Sequence, residues 1–202
     1  MFDLIADCKL LVTKVGFAEK EALGIAEGRG GRRGPENVWG SALTGLLCAL
    51  AAARARTTGA VLGLSPAVWL LGYAASLATK LSDTFASEIG KAYGRTAFLI
   101  TTLARVPAGT EGAVSLEGTA ASVVGGLLLS LVGLGAGFVP GVRGVGVATL
   151  AAVAATMVES LIGATLQERE GWGWMTNEVV NFFNTLIGAA LAITMGVLAL
   201  GM

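Results

Sequence analysis

Five apolar stretches, at residues 38–53, 62–78, 118–139, 145–166 and 179–200, decide what this chain is able to fold into. A run near 20 residues, rising ~1.5 Å per residue as a helix, matches a bilayer core of roughly 30 Å. Inside that medium the backbone has no water to bond to, so each crossing must satisfy its own N–H and C=O groups as a helix. The first two stretches are shorter and need neighbouring polar residues to complete a crossing. Of the 202 residues, 54% are hydrophobic and only 14% charged, well below the charge of a soluble domain. Alanine and the 30 glycines suit helices whose backbones approach closely. The expected fold is therefore all-α: a single integral membrane domain over residues 1–202, a polytopic helix bundle of about five spanning helices. Residues 1–17 carry Asp3, Asp7, Lys9 and Lys14 among apolar residues. They read as an N-terminal amphipathic helix at the interface rather than a cleavable signal.

The charge balance, 14 basic against 14 acidic residues, gives no footprint for nucleic acid. The chain has no histidine, which removes Ser-His-Asp chemistry and imidazole metal ligation together. Cys8 and Cys48 have no framework or metal spacing. A bound metal would have to be a hard ion held by oxygen, with Mg²⁺ the natural candidate. With five crossings the loops alternate between sides. The glycine-rich loop with Arg29, Arg32 and Arg33, the segment from Asp83 to Glu117 and the loop 167–177 then share one face, against Arg54, Arg56 and Arg143 on the other. The positive-inside rule makes the first face cytoplasmic, or stromal in a plastid.

Several polar groups are hard to explain in so apolar a chain. Asp83 and Ser87 lie one helical turn apart, as do Thr84 and Glu88, and the four read as a polar stripe at the mouth of the second apolar run. Such a stripe either binds Mg²⁺ and phosphate or caps a helix end facing water. Glu159 lies inside the fourth run, where a charge costs at least about 2.5 kcal/mol at the bilayer centre. It either faces a polar cavity or pairs with an arginine. Asn177, Asn181 and Asn184 recur at i, i+4 and i+7, placed to hold a nucleotide or phosphate or to bond between helices. Arg32 and Arg33 in their glycine-rich loop form a phosphate grip or a flexible basic linker. The segment from Glu111 to Gly118, with Ser115, is a loop in isolation and a pocket wall beside the other motifs.

In their order along the chain these motifs resemble one family: integral membrane proteins that include the phytyl-phosphate kinase of vitamin E synthesis and the animal transmembrane protein 19 relatives. The matching residues are Gly31-Arg32-Arg33 with Asn37, the run Asp83-Thr84-Phe85-Ala86-Ser87-Glu88-Ile89-Gly90, the segment Glu111 to Gly118, the segment Glu159 to Gln167, and Asn177-Glu178-Val179-Val180-Asn181. Family members tend to carry Asn-Gly-Gly where this chain has Glu111-Gly112-Ala113, and often an aspartate at Glu159. The resemblance implies CTP-dependent phosphorylation of a prenyl monophosphate, phytyl phosphate to phytyl diphosphate, in isoprenoid and tocopherol biosynthesis. It implies Mg²⁺ on Asp83, Glu88 and Glu159, and triphosphate neutralised by Arg32 and Arg33. Asn37, Thr84, Ser87, Ser115, Asn177 and Asn181 would contact nucleotide or phosphate, with CTP or another nucleoside triphosphate as donor. Two other readings use the same groups: a transporter for an anionic solute, and a cytidylyltransferase making a CDP-lipid.

Overall fold

A computed structural model describes residues 11–26, 36–167 and 171–202. Residues 11–14 are helical and lead into a short helix, α1 (Phe17–Ala22). Five long helices follow: α2 (Glu36–Thr58), α3 (Pro66–Tyr93), α4 (Leu116–Gly135), α5 (Gly141–Ile162) and α6 (Asn177–Leu200). A π-helical turn, Gly163–Gln167, continues α5. The fold is an all-α membrane bundle. By length and composition the four helices α2, α4, α5 and α6 are apolar enough to cross a membrane.

The fifth, α3, is the hub, and it packs against all four of the others. Its 28 residues divide in two. The first half buries Leu71, Ala74 and Ala75 against Val139, Val145, Ala148, Ala151 and Ala192. Further along, Leu77, Ala78 and Leu81 meet Leu129 and Ala152. Gly125 of α4 lies so close that an added Cβ would meet the Leu81 carbonyl oxygen at 2.8 Å. From Thr79 onward the buried positions turn polar: Thr79, Lys80, Ser82, Asp83, Thr84 and Glu88 are all enclosed. The outward faces of the surrounding helices are apolar, with Leu46 and Leu50 on α2, Leu127 and Leu131 on α4, and Leu150 and Leu161 on α5 all exposed. Those side chains meet lipid.

Hydropathy places the second crossing at 62–78, but the helix begins at Pro66 and runs on to Tyr93. Proline at the first turn removes an N–H that would be orphaned anyway. The chain then continues helical through its charges because Lys80, Asp83 and Glu88 are paired inside the bundle. Glu19 to Ala22, ahead of the glycine-rich arginine loop, belong to α1. The connection between α3 and α4 contains a small antiparallel sheet, ordered β2–β1–β3, of β1 (Ala97–Leu99), β2 (Arg105–Val106) and β3 (Ala113–Val114). Ala97 pairs with Val106, and Leu99 with Ala113. Strands of two or three residues are too short to leave a sequence period.

The up-and-down order brings the start of α2, the end of α3, the sheet, the start of α4, the end of α5 and the start of α6 to one end of the bundle. Close approaches agree: Gly40 backs onto Glu178, and Gly90 and Gly94 onto Ser115. The turns after α2 and α4 lie at the far end, with Arg54, Arg56 and Arg143.

Candidate functional site

A cavity of about 130 Å³ opens at the polar end, between α3, the sheet, the loop before α4, the first turn of α4 and the last turns of α5. At ~10–15 Å³ per water it holds several waters, or phosphate groups with a cation. Asp83, Ser87 and Lys91 line it from α3, Glu111 and Ser115 from the loop, Thr119 from α4, and Thr156, Glu159 and Ser160 from α5. Three carboxylates from three segments thus face one space with a single lysine.

Each wall has a local cause. Ser115 caps α4, its Oγ accepting the Gly118 N–H at 3.1 Å. This ties the loop to a helix start and holds it over the cavity. Gly112 has φ +73°, a left-handed conformation that L side chains rarely adopt, and it rests on the Ser160 carbonyl and Ala164 with no room for a Cβ. The loop therefore lies flush on the end of α5. Ser160 donates to the Thr156 carbonyl at 3.2 Å. The Thr156 hydroxyl donates to the Ala152 carbonyl at 3.0 Å and lies 3.2 Å from the Ser82 hydroxyl. Glu159 is half-buried, and the charges that act on it are Asp83, Lys80, Glu111 and Lys91.

Asp83 is held from behind. Lys80 donates to its Oδ2 at 2.7 Å and to Asn181 Oδ1 of α6 at 2.5 Å. Beyond this pair the polar seam between α2, α3 and α6 includes Thr185 and Thr44, whose hydroxyls are 3.1 Å apart. Asn184 is fully buried there, with neither amide atom hydrogen-bonded among the described residues.

The structure brings together some of the residues the sequence nominates and separates others. Asp83, Ser87, Ser115 and Glu159 share the cavity. Glu88 does not. Its Oε2 lies 2.6 Å from Lys20 Nζ, and both side chains are almost wholly enclosed. Lys20 also donates to the Thr13 carbonyl at 3.0 Å. The expectation of a single stripe is corrected here: successive residues turn ~100° around a helix, so Asp83 and Ser87 face the cavity while Thr84 and Glu88 face away from it. Ala86 also lines the cavity. Thr84 is buried outside the lining. Asn181 reaches the site only through Lys80, and Asn177 is exposed at the start of α6, outside the lining. Arg32 and Arg33 lie outside the described residues, as does the side chain of Asn37.

Lys80, Lys91 and Glu111 were missed as site residues. For Lys80 the signal was present in the i, i+3 spacing to Asp83, and for Lys91 in the i, i+4 spacing to Ser87. The donors facing the cavity are all oxygen, which suits a hard divalent cation such as Mg²⁺. Among the described residues no three acidic side chains stand close enough to enclose a metal by themselves. A cation here would therefore complete its shell with oxygens of a bound ligand and water.

The family described as Integral membrane protein DUF92 matches residues 9–189. The chain is 59% identical over 184 residues to the uncharacterized membrane protein sll0875 of Synechocystis sp., covering 90% of this chain and 67% of that one. It is 45% identical over 183 residues to the chloroplastic protein VTE6 of Arabidopsis thaliana, covering 91% of this chain and 54% of VTE6. It is 32% identical to the uncharacterized membrane protein MJ0933 of Methanocaldococcus jannaschii, covering 91% and 70%. The chain thus spans about two thirds of the cyanobacterial and archaeal relatives and about half of the plant one. No solved structure matches.

Proposed function

The chain belongs to the integral membrane protein family DUF92, and from that premise we propose that it is a kinase that phosphorylates a prenyl monophosphate at the polar end of the bundle. The donor is CTP and the acceptor phytyl phosphate, as the motif resemblance implies. The observation that carries this reading is the cavity in which Asp83 and Glu159, from separate helices, face Lys91 and a ring of hydroxyls.

An oxygen of the prenyl monophosphate attacks the γ-phosphorus of the nucleotide, and the bond to the bridging oxygen breaks, releasing CDP. The attacking oxygen is already anionic, so no histidine base is needed, in keeping with a chain that has none. Such transfers depend on alignment and charge neutralisation more than on covalent chemistry. Asp83 and Glu159 would hold Mg²⁺, with Glu111 the third carboxylate of the cavity. The ion supplies charge neutralisation and orients the phosphates. Lys91 neutralises phosphate as a point charge, and Ser115 and Thr119 offer hydroxyl donors, whereas Ser87 and Ser160 donate to the Thr84 and Thr156 carbonyls and would rotate to reach phosphate. The prenyl tail lies between helices, open to lipid. Lys20, Lys91, Arg95 and Arg105 at this end support, through the positive-inside rule, an active face in the cytoplasm or its stromal equivalent.

The test is to incubate membranes containing the chain with labelled CTP, Mg²⁺ and a panel of prenyl monophosphates, and to identify the products. A kinase yields CDP and prenyl diphosphate, whereas release of pyrophosphate with a CDP-lipid would replace this reading by nucleotidyl transfer. Nucleotide-independent anion flux in liposomes, without turnover, would replace it by transport. Full activity in Asp83→Ala would remove Asp83 from the mechanism.

A further inference from the structure

Lys80 lies outside the cavity lining, and the proposed reaction makes no direct use of it. It is 5% exposed, in the part of α3 enclosed by other helices, where an isolated ammonium is costly. A lysine near a membrane surface ordinarily runs its stem outward and leaves its charge in water. This one turns inward, giving one proton to the cavity-lining carboxylate of Asp83 and another to an α6 amide.

We propose that Lys80 is a positioning residue: anchored on Asn181, it holds Asp83 by Oδ2, so that Oδ1 alone remains to meet a divalent cation in the cavity. The inference rests on reading the cavity as a metal–phosphate site. Two contacts on different helices fix the ammonium, and the ammonium in turn fixes the carboxylate. Without it, Asp83 would be a buried acid sharing its space with Glu111 and Glu159, free to rotate and repelled by both. Partners that orient a metal ligand from behind typically account for about 10–100-fold in metal affinity.

The experiment uses Mn²⁺ alone, titrated into the full chain in nanodiscs and followed by electron paramagnetic resonance, with the melting temperature of each variant measured alongside. Lys80→Met is expected to weaken Mn²⁺ binding about 10–100-fold, and Lys80→Arg, which keeps the charge, to recover part of the loss. In an Asp83→Asn background Lys80→Met is expected to change Mn²⁺ affinity no further, because its effect passes through Asp83. That double variant carries no uncompensated buried carboxylate at this pair, so it remains informative if Lys80→Met alone misfolds. Unchanged Mn²⁺ affinity in folded Lys80→Met overturns the proposal. So does an equal loss in both backgrounds, or a parent chain that binds Mn²⁺ no better than Asp83→Asn. Lys80-dependent Mn²⁺ binding without turnover of any prenyl phosphate would keep this inference and refute the kinase reading.

Discussion

Asp83 and Glu88 stand five residues apart on one helix, and each meets a lysine in near-complete burial, at 2.7 and 2.6 Å. The two pairs are chemically alike and architecturally opposite. Lys80 comes from the same helix and leaves Asp83 on the wall of a cavity. Lys20 comes from 68 residues away and closes Glu88 off. The second pair fastens the N-terminal segment to the bundle. Gly16 rests on Ala92, and Ile25 on Gly109 of the cavity-lining loop. Burial of a charge therefore does not identify a catalytic acid. What distinguishes the two is whether the pairing leaves an oxygen facing open space.

The contrast is broken or sharpened most sharply by activity. Asp83→Asn is expected to lower turnover in the proposed kinase reaction by about 10³-fold, ~4 kcal/mol of transition-state stabilisation. Glu88→Gln should stay within about threefold of the parent once folded, since ~0.6 kcal/mol or less would then be lost. Equal losses in the two variants, measured as CDP release, would erase the distinction. Stability should show the reverse order. Glu88→Ala leaves Lys20 buried without its carboxylate and is expected to cost about 3–5 kcal/mol. The double variant Lys20→Met/Glu88→Met should recover most of it, read as the midpoint of unfolding in mixed micelles. A double variant as unstable as the single one would mean that Glu88 does something other than neutralise Lys20.

Smaller effects refine the cavity side. Lys91→Met should raise KM for the phosphate substrates about tenfold with the melting temperature little changed, because Lys91 lines the cavity from a partly exposed position. A change in kcat alone would move Lys91 from binding to the transition state. Ser115→Ala removes the cap of α4 and should cost about 1 kcal/mol of stability. Any loss of activity beyond that would indicate direct contact between its hydroxyl and phosphate.

The long helices were legible because lipid imposes length and apolarity on the chain that crosses it. The end of α3 was not, because hydropathy falls at Lys80 while the helix continues to Tyr93. The partners that make those charges tolerable are distant in sequence: Lys20 for Glu88, and Asn181, 101 residues on, for Lys80. Asp83 and Glu159 stood out as carboxylates in apolar surroundings, and they do share a cavity. Glu88 stood out for the same reason and lies apart, since spacing alone does not tell which side of a helix meets a cavity. Glu111 was noticed only as part of a loop segment, and Lys91 not at all, because each is ordinary in a polar stretch. Their significance comes from a three-strand sheet too small to predict.

The placement of α3 at the centre has a consequence for how the protein is made. The helix that every other one leans on is also the one that a translocon would release into lipid least willingly, since each Asp or Lys at mid-bilayer adds about 2.5–3.5 kcal/mol to its partitioning. It leaves the ribosome before α4, α5 and α6 exist to cover it. Its stay in the membrane thus depends on later-synthesised segments, and a chain truncated after Tyr93 and released would hold α3 less firmly than α2. Biogenesis here is a joint act of the bundle, with the most functional helix the last to become secure.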